Sequence, residues 1–512
     1  MESPQVSSKQ PFRACNACKR RKVKCGGGPV CSRCSRANLR CVYGSVHPAA
    51  LSRRSIVRGK VIESYRESVT REATSSTGGQ ASPILVQDRQ TSGASGSSSS
   101  RFTTEFFLEL VEDFCNYGLP TVPIIGEDEF RSAISAMEHS TQDRSLVYCL
   151  GALTLRVRRT VGRCADANPD DATTLYEMAL QMRQPVFSRD QISVKSVMVP
   201  LLASMGMFST GRDVDMGYYY NRDAINGVQV LHVDDPEHQN SFEPAARAQR
   251  ERLHWLLFIH ERFHALSTYR PAVMKLLPNI PERDPSIPPG VNEYFTQLIY
   301  VFRVVDDDFI RNWSDKTRPG LTRAWIEKKQ AELGNDTNTW SAGFDMLSDM
   351  QQVDLIVTRY WLRTLLWEMA LHKSILSSNV QNPNHDFLSL AFPIRLSHQL
   401  QHCLSNKPRE AVEIHGTGIL DKIFEITCTV ADLLQYVVPN TCTPEIQSAH
   451  VDCFLFLHGF LLKMSKFYHV ERALLAAKLQ AVQRALPFAL EGKERSDSWS
   501  SSSTPGGLSD RF

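Results

Sequence analysis

The sequence predicts three parts: a small cysteine-rich head folded around metal, a flexible linker and a large all-α body. Three observations carry this. Six of the 13 cysteines fall between Cys15 and Cys41. A Ser/Gly tract, QTSGASGSSSS, closes residues 73–100. From Arg101 to about residue 490 apolar residues recur at three- and four-residue steps, and β-branched alternating runs bounded by tight turns are nearly absent.

The bulk numbers agree. With 512 residues, 42% hydrophobic and 22% charged, the chain is globular rather than fibrous or wholly disordered. It contains no run of about 18 apolar residues, so a membrane partner is not expected. The start, MESPQVSSKQPFRACNACKR, has no apolar core of the secretory kind, so a reducing compartment is expected. The net charge of +3 conceals a strong asymmetry. Residues 1–60 hold 14 Lys and Arg against one acid, Glu2; the rest holds 44 bases and 54 acids. A cationic head on an acidic body points to nucleic acid as the head's partner.

In chain order, residues 1–10 are a polar arm and residues 11–44 the cysteine module. Residues 45–100 are a basic connector followed by the Ser/Gly linker, which cannot bury a core. Within the connector Val57, Val61, Ile62, Tyr65 and Val69 share a helical stripe, but fewer than three clean heptads do not make a coiled coil. Residues 101–490 form the helical body. Segments such as RSLVYCLGALTLRV, RLHWLLFIHERFHAL and IVTRYWLRTLLWEMAL are its helices. Loops are expected at PNIPERDPSIPPG (278–290) and LGNDTNTWSAG. Residues 491–512 are a low-complexity, disordered tail. No fixed-period repeat supports a solenoid. The scattered cysteines, Cys115, Cys149, Cys164, Cys403, Cys428, Cys442 and Cys453, read as small buried hydrophobes.

The cysteine module uses one unit twice. Cys15-x2-Cys18-x6-Cys25 is followed, after five residues, by Cys31-x2-Cys34-x6-Cys41. In a reducing compartment such spacing means metal rather than disulfides. Six thiolates cannot make one tetrahedral site. They make two if two sulfurs are shared, because two four-coordinate ions need about eight bonds. Soft thiolates select zinc, and an all-sulfur site leaves no open position for chemistry. A segment this short holds no core of its own, so binding two Zn2+ ions is folding. Between Cys18 and Cys25 runs KRRKVK, with Lys19, Arg20, Arg21, Lys22 and Lys24. This strip offsets the excess thiolate charge and suits phosphates and guanine edges. Pro29 sets the reversal between the halves.

These residues resemble the fungal zinc binuclear cluster (Zn2Cys6) DNA-binding domain in all six cysteines, the basic run and Pro29. Asn16 and Gly26 stand where that family often has Asp; neither is a ligand. The resemblance implies a two-helix fold in which Cys15 and Cys31 bridge the zincs. Cys18 and Cys25 complete one site, Cys34 and Cys41 the other. It also implies that the first short helix enters the major groove of a CGG triplet, with Lys22 and Arg21 at the bases and Lys19, Arg20 and Lys24 on phosphates. Two blander readings compete: KRRKVK as a nuclear-import signal alone, and the cluster as a protein-contact module that never touches DNA.

The body carries one catalytic pattern. His260-Glu261-Arg262-Phe263-His264 fits H-E-x-x-H, which on a helix sets two imidazoles one turn apart with a Glu as general base of a zinc metallopeptidase; Glu282 is a conceivable third ligand. The longer metzincin pattern fails at Ser267 and Arg270. The competing reading makes HERFH part of an amphipathic helix. Phosphate-loop, dinucleotide and nucleophile-elbow motifs are absent. Trp255, Trp361, Trp367 and the tyrosines at 218–220 line either a ligand pocket or, more ordinarily, the core.

FFLELVEDFCNYGLPTVPIIG, GYYYNRDAINGVQVLHV, RERLHWLLFIHERFHALSTYRP, RYWLRTLLWEMALHKSILSS, FPIRLSHQL and EIHGTGILDKIFEIT resemble the regulatory region of fungal zinc-cluster regulators. The similar branch contains starch-, maltose- and sucrose-utilisation activators and regulators of secondary-metabolite gene clusters. The resemblance implies a non-enzymatic all-helical regulatory body. It implies a nuclear transcription factor that acts on RNA polymerase II genes through CGG half-sites in double-stranded DNA, as a possible homodimer, with the transcription machinery as partner. A secondary-metabolite cluster is the expected target, with carbon-source utilisation as the alternative and the metallopeptidase as the remote one.

Overall fold

The computed structural model describes residues 101–490 apart from 164–167, 169, 185, 211–213, 316–319, 335–342, 377–386, 465–466 and 468. The arm, cysteine module, connector, linker and tail expected from the sequence lie outside the described residues, as do Cys164 and most of the LGNDTNTWSAG loop. The chain divides into two units, Met1–Ala50 and Leu51–Phe512. All the described helices belong to the second.

Among the described residues thirteen helices have ten residues or more, and no β-strand occurs. They are α1 (Glu127–Ala136), α2 (Thr141–Thr160), α3 (Asp171–Gln181), α4 (Val194–Thr210), α5 (Val214–Val230), α6 (Pro244–Thr268), α7 (Pro289–Arg303), α8 (Arg323–Gly334), α9 (Asp349–His372), α10 (Phe392–Ser405), α11 (Thr417–Tyr436), α12 (Pro444–Lys463) and α13 (His469–Ala485). The all-helical class read from the apolar spacing is the class observed.

The helix starts follow local chemistry. Ser140 caps α2 by accepting from the Asp143 amide at 3.1 Å. Ser348 and Gln351 form a reciprocal capping box at the head of α9. Prolines open α6, α7, α10 and α12 within their first two positions, where the missing N–H costs nothing. Pro289 starts α7, so the expected loop at 278–290 gives its last two residues to a helix. Two glycines allow close helix approach. A Cβ on Gly206 of α4 would meet the Tyr176 ring of α3 at 2.6 Å, and one on Gly227 of α5 would meet Val197 of α4 at 2.6 Å.

The helices form one apolar core. The first group, α1 to α5, packs around α2 and α4; the later group, α8 to α13, packs around α9 and α11. The 25-residue α6 touches α4, α5 and α7, and α4 also meets α11. Trp255, Trp361 and Trp367 are fully buried. Their indole N–H groups donate to Asn279 O, Glu425 Oε2 and Ser389 O at 3.1, 2.8 and 2.9 Å, so all three are core residues. The tyrosines at 218–220 do not line a common pocket: Tyr219 is exposed, and Tyr218 lies under the guanidinium groups of Arg222 and Arg270. The scattered cysteines are less uniform than expected. Cys149, Cys428 and Cys453 are buried, but Cys115, Cys403 and Cys442 are half-buried at helix edges.

Candidate nucleic-acid interface

The residues assigned to metal (Cys15, Cys18, Cys25, Cys31, Cys34, Cys41) and to DNA (Lys19, Arg20, Arg21, Lys22, Lys24) lie outside the described residues. Their chemistry is that of the donor set: six thiols and no oxygen ligand within one short span. This set fits zinc, whose binding supplies fold rather than reaction.

The competing catalytic constellation lies on α6 and has a definite geometry. The Glu261 carboxylate is buried and accepts three hydrogen bonds. Its Oε1 accepts from the Val273 amide at 2.9 Å and from Arg222 at 2.7 Å, and its Oε2 accepts from the Met274 amide at 2.8 Å. Arg262 donates to Met274 O at 2.8 Å and pairs with Asp307 at 2.7 Å. The two adjacent side chains therefore hold both polar groups of Met274 and tie the extended segment after Tyr269 back onto α6. Tyr269 makes this reversal possible: it ends α6 in the left-handed region at φ 57° and stacks on Trp313 at 5.9 Å.

The two imidazoles do not share a site. His264 lies against Phe208, ring centroids 3.6 Å apart, and is 6.3 Å from the His260 ring. Burial and then the nearby Lys422 charge push the His260 imidazole down to about 4, so it is neutral. Glu282 pairs with Arg247 at 2.8 Å on the surface. Among the described residues no three His, Cys, Asp or Glu side chains are gathered for a metal ion. The metallopeptidase reading of HERFH is corrected on this ground: a buried carboxylate already held by two backbone amides and a guanidinium serves as an anchor and is poorly placed to take a proton from water. Within the five-residue pattern, Glu261 and Arg262 anchor the segment that follows α6.

The sequence gives little warning of a polar seam between α7, α9 and α11. Asp354 accepts from Tyr294 Oη at 2.7 Å and from Thr358 Oγ1 at 3.2 Å. Lys422 donates to Thr358 Oγ1 at 2.6 Å and lies 3.4 Å from Asp354. Its ammonium also faces the rings of Phe263 and Trp361 at 5.4 and 5.9 Å. Burial opposes ionisation of Asp354, but Lys422, His415 and the hydrogen bonds outweigh it and hold the carboxyl down at about 2. At the residue before Lys422, burial followed by Glu471 and Glu425 raises Asp421 to about 8. Charged letters inside otherwise apolar helices were the only signal, and solvent-facing positions give the same letters.

The comparisons with known proteins address the head directly. Residues 13–47 match the model of the fungal Zn(2)-Cys(6) binuclear cluster domain. The chain therefore carries a zinc-cluster DNA-binding domain, which holds two zinc ions, and the class of protein it is similar to is that of fungal zinc-cluster transcription regulators. Within that class it is similar over most of its length to the maltose fermentation regulatory protein MAL13 of Saccharomyces cerevisiae, at 21% identity over 84% of this chain and 85% of that one. It is 25% identical to the probable sucrose utilization protein SUC1 of Candida albicans over 42% of this chain and 41% of that protein. A stretch of 41 residues is 54% identical to the zinc finger protein grt1 of Schizosaccharomyces pombe, 7% of this chain and 6% of that one. No solved structure matches the chain.

Proposed function

We propose that this regulator acts in the nucleus on RNA polymerase II genes and reads CGG triplets through the strip between Cys18 and Cys25. Lys22 and Arg21 take the guanine edges, where bidentate or paired donors meet O6 and N7. Lys19, Arg20 and Lys24 hold phosphates and set register. Cys15 and Cys31 bridge the zincs, Cys18 with Cys25 and Cys34 with Cys41 completing the two sites. Residues 101–490 act as the regulatory domain, residues 45–100 as the tether, and two copies bind as a homodimer that engages the transcription machinery.

The observation that carries this reading is the doubled C-x2-C-x6-C spacing with KRRKVK inside its first half. For target genes, similarity to a maltose regulator over 84% of the chain favours sugar utilisation. The secondary-metabolite cluster that the resemblance led us to expect gains no support from these relatives. Genome-wide binding of the full-length protein tests motif, spacing and pathway together. CGG half-sites upstream of disaccharide-uptake and hydrolysis genes are the expected result; the absence of any GC-rich motif overturns the reading. In vitro, Lys22→Ala should lose about 1–3 kcal/mol of preference for CGG over mismatched DNA. Equal loss on both DNAs would make Lys22 a phosphate contact.

A further inference from the structure

A second cationic feature lies in the body, on no element that the DNA-binding reading uses. Arg250, on the second turn of α6, is only 8% exposed. Its Nε donates to Gln239 at 3.1 Å and one Nη donates to Leu231 O. Nη1 makes no hydrogen bond among the described residues, and no carboxylate pairs with the group. The side chain lies over the Phe242 ring at 4.1 Å. The charge that does act on it is of the same sign: burial and then Arg189 disfavour its protonated form. Arg189, on the 3-10 turn Arg189–Gln191, is exposed, and its side chain makes no hydrogen bond or ion pair among the described residues.

Both arginines line a shared cleft of about 330 Å³, together with His238, Phe242, Ile192 and Leu231. Asp190 lines it too, so two guanidinium charges stand against one carboxylate. A buried cation with no counter-ion and a like charge for a neighbour is costly, and the fold keeps it. An anion entering the cleft removes both penalties. Nη1 of Arg250, the fork of Arg189 and the His238 ring come from three separate segments. Three donor residues lining one cleft match the three terminal oxygens of a phosphomonoester, whereas a carboxylate offers two. The apolar lining gives the remainder of such a ligand a surface to cover, and the volume suits a small molecule.

We propose that this cleft is a binding site for a small organic phosphate, with Arg250 as its buried anchor and Arg189 as the clamp at its exposed rim. The test is calorimetric titration of the zinc-loaded full chain with orthophosphate, phenyl phosphate and benzoate. Phenyl phosphate should bind saturably, about tenfold tighter than orthophosphate because of the apolar lining, and benzoate should be weaker than either. Arg250→Met should abolish binding. Because that change removes a buried side chain, Arg189→Gln is the deciding variant: it removes an exposed, unpaired side chain and should lose about tenfold in phenyl phosphate affinity. The cationic head also attracts phosphate, so binding that Arg189→Gln leaves unchanged overturns the proposal. Equal affinity for orthophosphate and phenyl phosphate assigns the cleft to free phosphate and overturns the organic ligand. Benzoate binding as tight as phenyl phosphate overturns the phosphate assignment.

Discussion

Replacing Glu261 separates the two meanings of HERFH. As a catalytic base its loss abolishes a peptidase activity and leaves the fold intact; as an anchor its loss costs stability. The magnitude follows from its partners. In Glu261→Ala the Met274 amide, which is buried, loses its acceptor, at about 1–3 kcal/mol. The Val273 amide is partly buried and water replaces the carboxylate there, at about 0.5–1 kcal/mol. The Arg222 pair is also partly buried, its two side chains 21% and 3% exposed, and contributes about 1 kcal/mol more. The total is about 2.5–5 kcal/mol, a large share of the stability of any domain. Glu261→Gln keeps the shape, retains one acceptor oxygen and turns an NH2 toward an amide; about 2–4 kcal/mol is expected. Guanidinium unfolding followed by tryptophan fluorescence reads the shift in midpoint. Hydrogen exchange at Val273 and Met274 should rise by more than at α9. An unchanged midpoint, with exchange at those two amides unaltered, would refute the anchor, and a peptidase activity lost with Glu261 would restore the catalytic reading.

Three further outcomes are expected. Cys15→Ala or Cys31→Ala should abolish both zinc content and CGG-specific binding, read by metal analysis and band shift; a variant that keeps tight specific binding contradicts the bridging assignment. Lys422→Met should destabilise by about 3–5 kcal/mol by stranding Asp354, and adding Asp354→Asn should recover most of that loss; additive losses in the double-mutant cycle would show that the pair is not coupled. Asp421 binds its proton more tightly in the native state than the ordinary 3.8, holding it to about 8, so its contribution to stability falls as pH rises between those values. Asp421→Asn should therefore equal the parent in melting temperature near pH 4 and exceed it progressively toward pH 8, with Glu471 and Glu425 the carboxylates whose repulsion is relieved; a constant difference across that range would deny the shift.

Much of the architecture was legible because amphipathic spacing reports burial directly. RLHWLLFIHERFHAL and IVTRYWLRTLLWEMAL read as helices and are the longest helices described, α6 and α9. The cysteine head was legible for a different reason: metal ligation fixes residue type and spacing together, and few other demands produce the same string. The seam was not legible. Asp354 and Thr358 lie more than 60 residues from Lys422, across α9 and α11, and nothing local distinguishes a charge facing a partner helix from one facing water. Arg250 was hidden in the same way. It sits in the run RAQRER, which reads as a solvated helix start, yet alone among those arginines it turns inward onto Phe242 without a carboxylate. HERFH misled because Glu261 and Arg262 satisfy backbone groups that a sequence pattern never displays.

The seam also limits how the body is able to rearrange. Turning α9 or α11 by one residue position about its axis would carry Lys422 away from Thr358 and Asp354 and leave two ions facing hydrocarbon. Sliding either helix by a turn does the same. The inner pair is thus keyed in rotation as well as in depth. The cleft lined by the end of α5, the start of α6 and the turn bearing Arg189 lies on other residues than this keyed pair, so filling it need not turn or slide either inner helix.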